Sequence, residues 1–132
     1  MQSGLKVIAP ASVSNLACGF DTLGVAIDIP SDEMIGKWVD TPGVHIIEIT
    51  GKKKDIPLAA DHNIAGITAT ALLKHLGEDG RGLELRIHKH IPGGSGLGSS
   101  ASSATAAAVL VNELLNRPFE KRDLIPFALD GE

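Results

Sequence analysis

Residues 90–104 read His-Ile-Pro-Gly-Gly-Ser-Gly-Leu-Gly-Ser-Ser-Ala-Ser-Ser-Ala, with four glycines in six residues and then four serines in five. An alternating apolar segment precedes this stretch, and a long run of helical character follows it. Without a Cβ, glycine lets consecutive N–H groups turn toward a common point. A helix beginning just beyond adds unpaired N–H donors and the positive end of its dipole. The composition therefore suits the grip of a phosphate chain. The plainer reading is a flexible turn with a serine N-cap, but such a turn needs one or two glycines, not four.

The rest of the chain must build a scaffold for that loop. Its 132 residues are the length of one domain, long enough to bury a core. An apolar share of 43% with modest charge describes a globular chain, not a disordered one. Net charge is −4, and the only dense basic cluster is Lys52-Lys53-Lys54, so nucleic acid is not the expected partner. A single cysteine, Cys18, leaves no internal disulfide and fits a reducing, cytoplasmic setting. The first ten residues lack the apolar centre of a secretion signal, and no apolar run reaches the length of a membrane span. The ending Asp130-Gly131-Glu132, directly after a helix-like segment, reads as a cut in a longer chain.

In chain order, residues 5–9 alternate as a strand that Pro10 ends or bends. Residues 23–29 form a second strand, and Pro30-Ser31-Asp32 turns the chain. Residues 34–39 and 44–50 are two more strands, joined by Asp40-Thr41-Pro42-Gly43. Asp61 is the expected N-cap of a helix reaching Leu76 and stopped by Gly77. Leu83, Leu85, Ile87 and Lys89 then alternate with Glu84, Arg86, His88 and His90, a strand with one dry face. Near the loop, Lys89 itself is expected to be a solvated strand lysine. After the loop a helix runs over residues 99–115, its first half almost wholly small. A shorter helix over 120–130 should kink at Pro126. The order implies an α+β, two-layer domain with a mostly antiparallel sheet packed against helices.

Three phosphate-binding patterns compete for the loop. The Walker pattern fails, because no lysine follows the glycines. The dinucleotide fingerprint matches at Gly96, Gly98 and Ala101, but no strand with an acidic end follows Leu115, which weakens an oxidoreductase reading. The third pattern is Pro92-Gly93-Gly94-Ser95-Gly96-Leu97-Gly98-Ser99-Ser100-Ala101. It resembles the phosphate loop of the GHMP small-molecule kinases. A second stretch, Pro10-Ala-Ser-Val-Ser-Asn-Leu-Ala-Cys-Gly-Phe-Asp21, resembles the first motif of the homoserine kinases within that family. It departs at Ala17, where glycine is usual, and at Val13-Ser14; Asn15, Gly19, Phe20 and Asp21 keep the pattern.

The resemblance implies a fold with a left-handed βαβ crossover and an enzyme that phosphorylates the hydroxyl of L-homoserine from ATP, a step toward threonine. Residues 1–132 would be the N-terminal, ATP-binding domain. Asn15 and Asp21 would bind homoserine, a carboxylate suiting its ammonium group. Pro92, Gly93, Gly94, Ser95, Gly96, Leu97, Gly98, Ser99, Ser100 and Ala101 would hold the ATP phosphates, with Asn63 near the adenine. Ser100 and Glu132 would act catalytically as ligands of Mg2+, which takes few protein oxygens when phosphates supply the rest. His88 and His90, on the wet side of a strand, are expected to be bystanders, and no general base is implied. A C-terminal half would supply arginines and a histidine, so the fragment alone is expected to be inactive, and a homodimer is implied. The alternatives are another GHMP kinase such as mevalonate kinase, or a non-catalytic module of similar fold that binds RNA.

Overall fold

The computed structural model describes residues 4–13, 25–51, 56–91 and 99–131. Its strands are β1 (Leu5–Val13), β2 (Val25–Val39), β3 (Gly43–Gly51) and β4 (Gly82–Lys89), paired in the order β1-β2-β4-β3. The β1–β2 and β2–β4 pairs are antiparallel, and β3–β4 is parallel. Helix α1 (Ile64–His75) connects the parallel pair, α2 (Ser99–Leu114) follows β4, and α3 (Ile125–Gly131) follows α2. The two-layer α+β expectation is met.

Period-two alternation makes the sheet one-sided. Leu83, Leu85 and Ile87 of β4 and Met34 of β2 are buried beneath the helices. From α1 come Ala65, Ala69, Leu72 and Leu73, and from α2 Ala106, Ala107, Leu110 and Val111. The small residues of α2 let its backbone approach the sheet. Where Leu110 of α2 meets the sheet, a Cβ added to Gly36 would lie 2.5 Å from Leu110 Cδ2, so the glycine leaves room for that side chain. The opposite face is wet. There Lys6 pairs with Glu33 at 2.6 Å, and Glu84 lies 3.7 Å from Lys37 and 3.9 Å from Arg86.

Several local expectations are corrected. Pro30 does not end a strand, because β2 is continuous over 15 residues. The pairing of β2 with β1 passes from Ser31 opposite Pro10 to Ile27 opposite Ala11, and its pairing with β4 starts only at Glu33, so Pro30 lies within a register shift where its missing N–H breaks no ladder bond. Asp61 is not the cap of α1. It sits in a 3-10 turn, Ala60–His62, and Asn63 caps the helix. Pro126 does not kink a long helix. The segment divides into a 3-10 turn, Lys121–Leu124, and α3, with the proline in the first turn, where an N–H has no helical partner to lose. Gly77 stops α1 as expected, at φ 70°. Its N–H donates to Lys74 O and that of Glu78 to Leu73 O, the paired bonds of a Schellman end.

Candidate functional site

The register gathers several chain ends at one edge of the sheet. Strands β3 and β4 run together and finish with Gly51 opposite Lys89. Since β4 starts at Gly82, opposite Gly43, α1 must carry the chain back and so begins at the Gly51–Lys89 end. Helix α2 also begins there. Its Ser103 contacts Lys89, whereas Leu110 lies over Gly36, which is opposite Leu85 farther down β4. β1 ends and β2 begins at the same side, with Val13 opposite Val25. Two helix N-termini, with their free donors and positive dipole ends, therefore share one end of the sheet with the flanks of both sequence motifs.

At this end lies a buried polar centre on Asp32 of β2. The side chains of Asp32 and Lys89 are 3% and 2% exposed and form an ion pair. Asp32 Oδ1 accepts the backbone N–H of His90 at 2.8 Å and of Ile91 at 2.9 Å. Its Oδ2 accepts from Lys89 Nζ and from the hydroxyl of Ser102. Lys89 Nζ also donates to Ser103 Oγ at 2.9 Å. Burial pushes the Asp32 carboxyl upward. Hydrogen bonds from Lys89, Ser102 and the Ile91 N–H, with the charge of Lys89, outweigh it and hold the group below the usual carboxylate range. The solvated expectation for Lys89 is thus overturned. Its place in the row Leu83, Leu85, Ile87 was the signal, since period two puts it on the dry face. Asp32 carries the same signal, sharing its face with buried Met34 and Gly36.

Of the expected site residues, Asn63, Ser99, Ser100 and Ala101 are described. Ser99 opens α2, and Ser100 and Ala101 are exposed in its first turn. Asn63 is 4% exposed, and both ends of its amide are engaged: Oδ1 accepts from Ala65 N and Nδ2 donates to Pro57 O, each at 2.9 Å. Asn15, Asp21, Pro92, Gly93, Gly94, Ser95, Gly96, Leu97, Gly98 and Glu132 lie outside the described residues. His88 bonds Thr50 on β3, and His90 lies 3.6 Å from Glu33; both belong to the wet side. Hydrogen bonding to Lys6 lowers the pKa of Glu33. Among the described residues no three His, Cys, Asp or Glu side chains group as a metal centre, and no helix is long and apolar enough to cross a membrane.

The N-terminal domain profile of the GHMP kinases matches residues 63–132, more than half of the chain. The chain belongs to the GHMP kinase family. Among its relatives in that family, the homoserine kinase of Xylella fastidiosa strain M12 is 41% identical over 127 residues, covering 96% of this chain and 39% of the relative. The crystal structure of homoserine kinase from Cytophaga hutchinsonii superposes with a TM-score of 0.95 at 44% identity, covering all of this chain and 42% of that one. Leishmania major mevalonate kinase, solved with R-mevalonate, shares the fold at a TM-score of 0.71 and 19% identity, over 97% of this chain and 41% of its own. The chain thus spans about two fifths of the length of these GHMP kinases.

Proposed function

We propose that this chain carries the nucleotide-binding part of a kinase that transfers the γ-phosphoryl group of ATP to the hydroxyl of L-homoserine. The observation that supports it most is the convergence at one end of the sheet. The Pro10–Asp21 motif begins on β1 and the Pro92–Ala101 motif follows β4 and enters α2, and both reach that end, beside the first turns of α1 and α2. Substrate hydroxyl and phosphate donor must approach within about 3–3.5 Å for transfer, so their binding motifs need a common edge. Identity to homoserine kinases above 40% favours homoserine over mevalonate, whose kinase shares only the fold.

In this reading Asn15 and Asp21 hold the amino acid. Backbone N–H groups of residues 93–99 wrap the phosphates, and the start of α2 adds its dipole. Pro92 and Ala101 bound that grip. Asn63 shapes the entry of α1 near the adenine through its cap. The exposed hydroxyl of Ser100 suits a hard cation, and with Glu132 it would hold Mg2+, which neutralises phosphate charge when bound. The homoserine oxygen attacks the γ-phosphorus, the bond to the bridging oxygen breaks, and ADP leaves. The hydroxyl proton passes to the phosphoryl oxygens or to water, and no side-chain base is required. Catalysis is then mainly positioning and charge stabilisation. A cytoplasmic homodimer in threonine synthesis completes the proposal.

The test is ADP release by the protein produced from its full gene, offered homoserine, mevalonate and galactose in turn. Release with homoserine alone is expected. Preference for mevalonate or galactose would move the protein to another branch of the family.

A further inference from the structure

We propose that Asp32 is a positioning residue for the nucleotide: it ties together the two chain segments between which residues 92–98 are strung. This rests on the nucleotide-binding reading of that stretch. The argument comes from where its bonds go. One carboxylate oxygen takes the N–H groups of His90 and Ile91, the last residues before the stretch. The other takes the hydroxyl of Ser102, in the first turn of the helix after it. Lys89 doubles the tie, joining Asp32 to Ser103. A single side chain of β2, fixed in the sheet by its pairing with Ala9 of β1, thereby sets how far apart and at what angle the strand ends and the helix starts.

Structural need alone does not account for this arrangement. A buried ion pair contributes little net stability compared with apolar residues of the same volume, because both charges lose their water. Apolar packing already joins α2 to the sheet through Leu110 and Val111. What a carboxylate adds is direction: two fixed acceptor oxygens that admit only certain placements of four donors. Phosphate grips made of backbone N–H groups depend on such placement, since their donors cannot be re-aimed by a side-chain rotation.

The experiment compares two double variants of the protein produced from its full gene. Both lack the lysine charge and leave no buried ion unpaired. Asp32→Asn with Lys89→Met keeps an acceptor for the two N–H groups and a donor for Ser102. Asp32→Ala with Lys89→Met removes the tie. Calorimetry with ATP alone should show the Ala/Met variant binding about tenfold more weakly than the Asn/Met variant, as expected of a misplaced grip. The homoserine KM of the two should agree within about twofold, because the lost interaction is with the nucleotide. Equal ATP affinities in the two would overturn the proposal and leave the effect, if any, with the charge of Lys89. Should the Ala/Met variant fail to fold, Ser102→Ala decides. About threefold weaker ATP binding at unchanged homoserine KM supports the tie, and unchanged binding refutes it. Because affinity is read without homoserine, a protein that binds ATP but turns over no homoserine ends the substrate reading and leaves this one standing.

Discussion

The two ends of β4 are held by different physics. At Gly82 the strand is closed by close backbone approach and a ring contact. A Cβ added to Gly82 would lie 2.0 Å from Thr41 O, the N–H of Gly43 donates to Arg81 O at 3.0 Å, and the Arg81 guanidinium sits 3.8 Å from the centre of the Trp38 ring. At Lys89 the strand is closed by a buried charge with four donors on one carboxylate. The first end needs only fit. The second needs fit and charge balance together, and it is where both sequence motifs attach. Precise aim is concentrated at the end where chemistry is proposed, and the other end is left to steric packing.

Breaking the charged end should cost most. Asp32→Ala alone removes the carboxylate that balances the buried charge of Lys89, which is expected to lower stability by about 3–5 kcal/mol in denaturant unfolding. Gly82→Ala, at the opposite end, forces the backbone apart at Thr41 and should cost about 1–3 kcal/mol, with ATP affinity unchanged in the molecules that remain folded. If Gly82→Ala weakened ATP binding as much as Asp32→Ala, the division between the ends would be wrong.

Acid sharpens the contrast. The folded pKa of Asp32 lies below its unfolded value, so the stability it adds is present at neutral pH and is lost as pH falls through the folded value. The stability gap between the wild type and the Asn/Met double variant should stay constant from pH 7 to about pH 5 and shift against the wild type below about pH 4. The gap between wild type and Gly82→Ala should show no such trend. The smallest effect expected is that of Arg81→Ala, about 0.5–1 kcal/mol, because its stacking on Trp38 is half open to water.

The same contrast explains what could be read from the amino-acid sequence. Strand β4, the stop at Gly77 and the start of α2 at Ser99 follow from local rules of period, left-handed glycine and capping, and the structure has them in place. Asp32 and Lys89 are 57 residues apart, and no local rule pairs them. Each carried a period-two signal, but a charged residue in a dry row is normally assigned to solvent unless its partner is known. Asp61 precedes Asn63 as a cap candidate, and the 3-10 turn that intervenes before α1 passes the role to Asn63. Proline misled twice for one reason. Its cost depends on whether an N–H would have had a partner, and neither Pro30, within the register shift of β2, nor Pro126, in the first turn of α3, sits where one is needed. The family resemblance rested on contiguous residues and so was legible without the fold.

Phosphoryl transfer to the homoserine hydroxyl is read by phosphorus NMR of a reaction containing ATP, homoserine and the protein produced from its full gene. The expected result is a new phosphomonoester signal coupled to the hydroxymethylene protons of homoserine, growing in step with ADP. Formation of ADP and free inorganic phosphate with no such ester, or an ester only when mevalonate or galactose replaces homoserine, would contradict it.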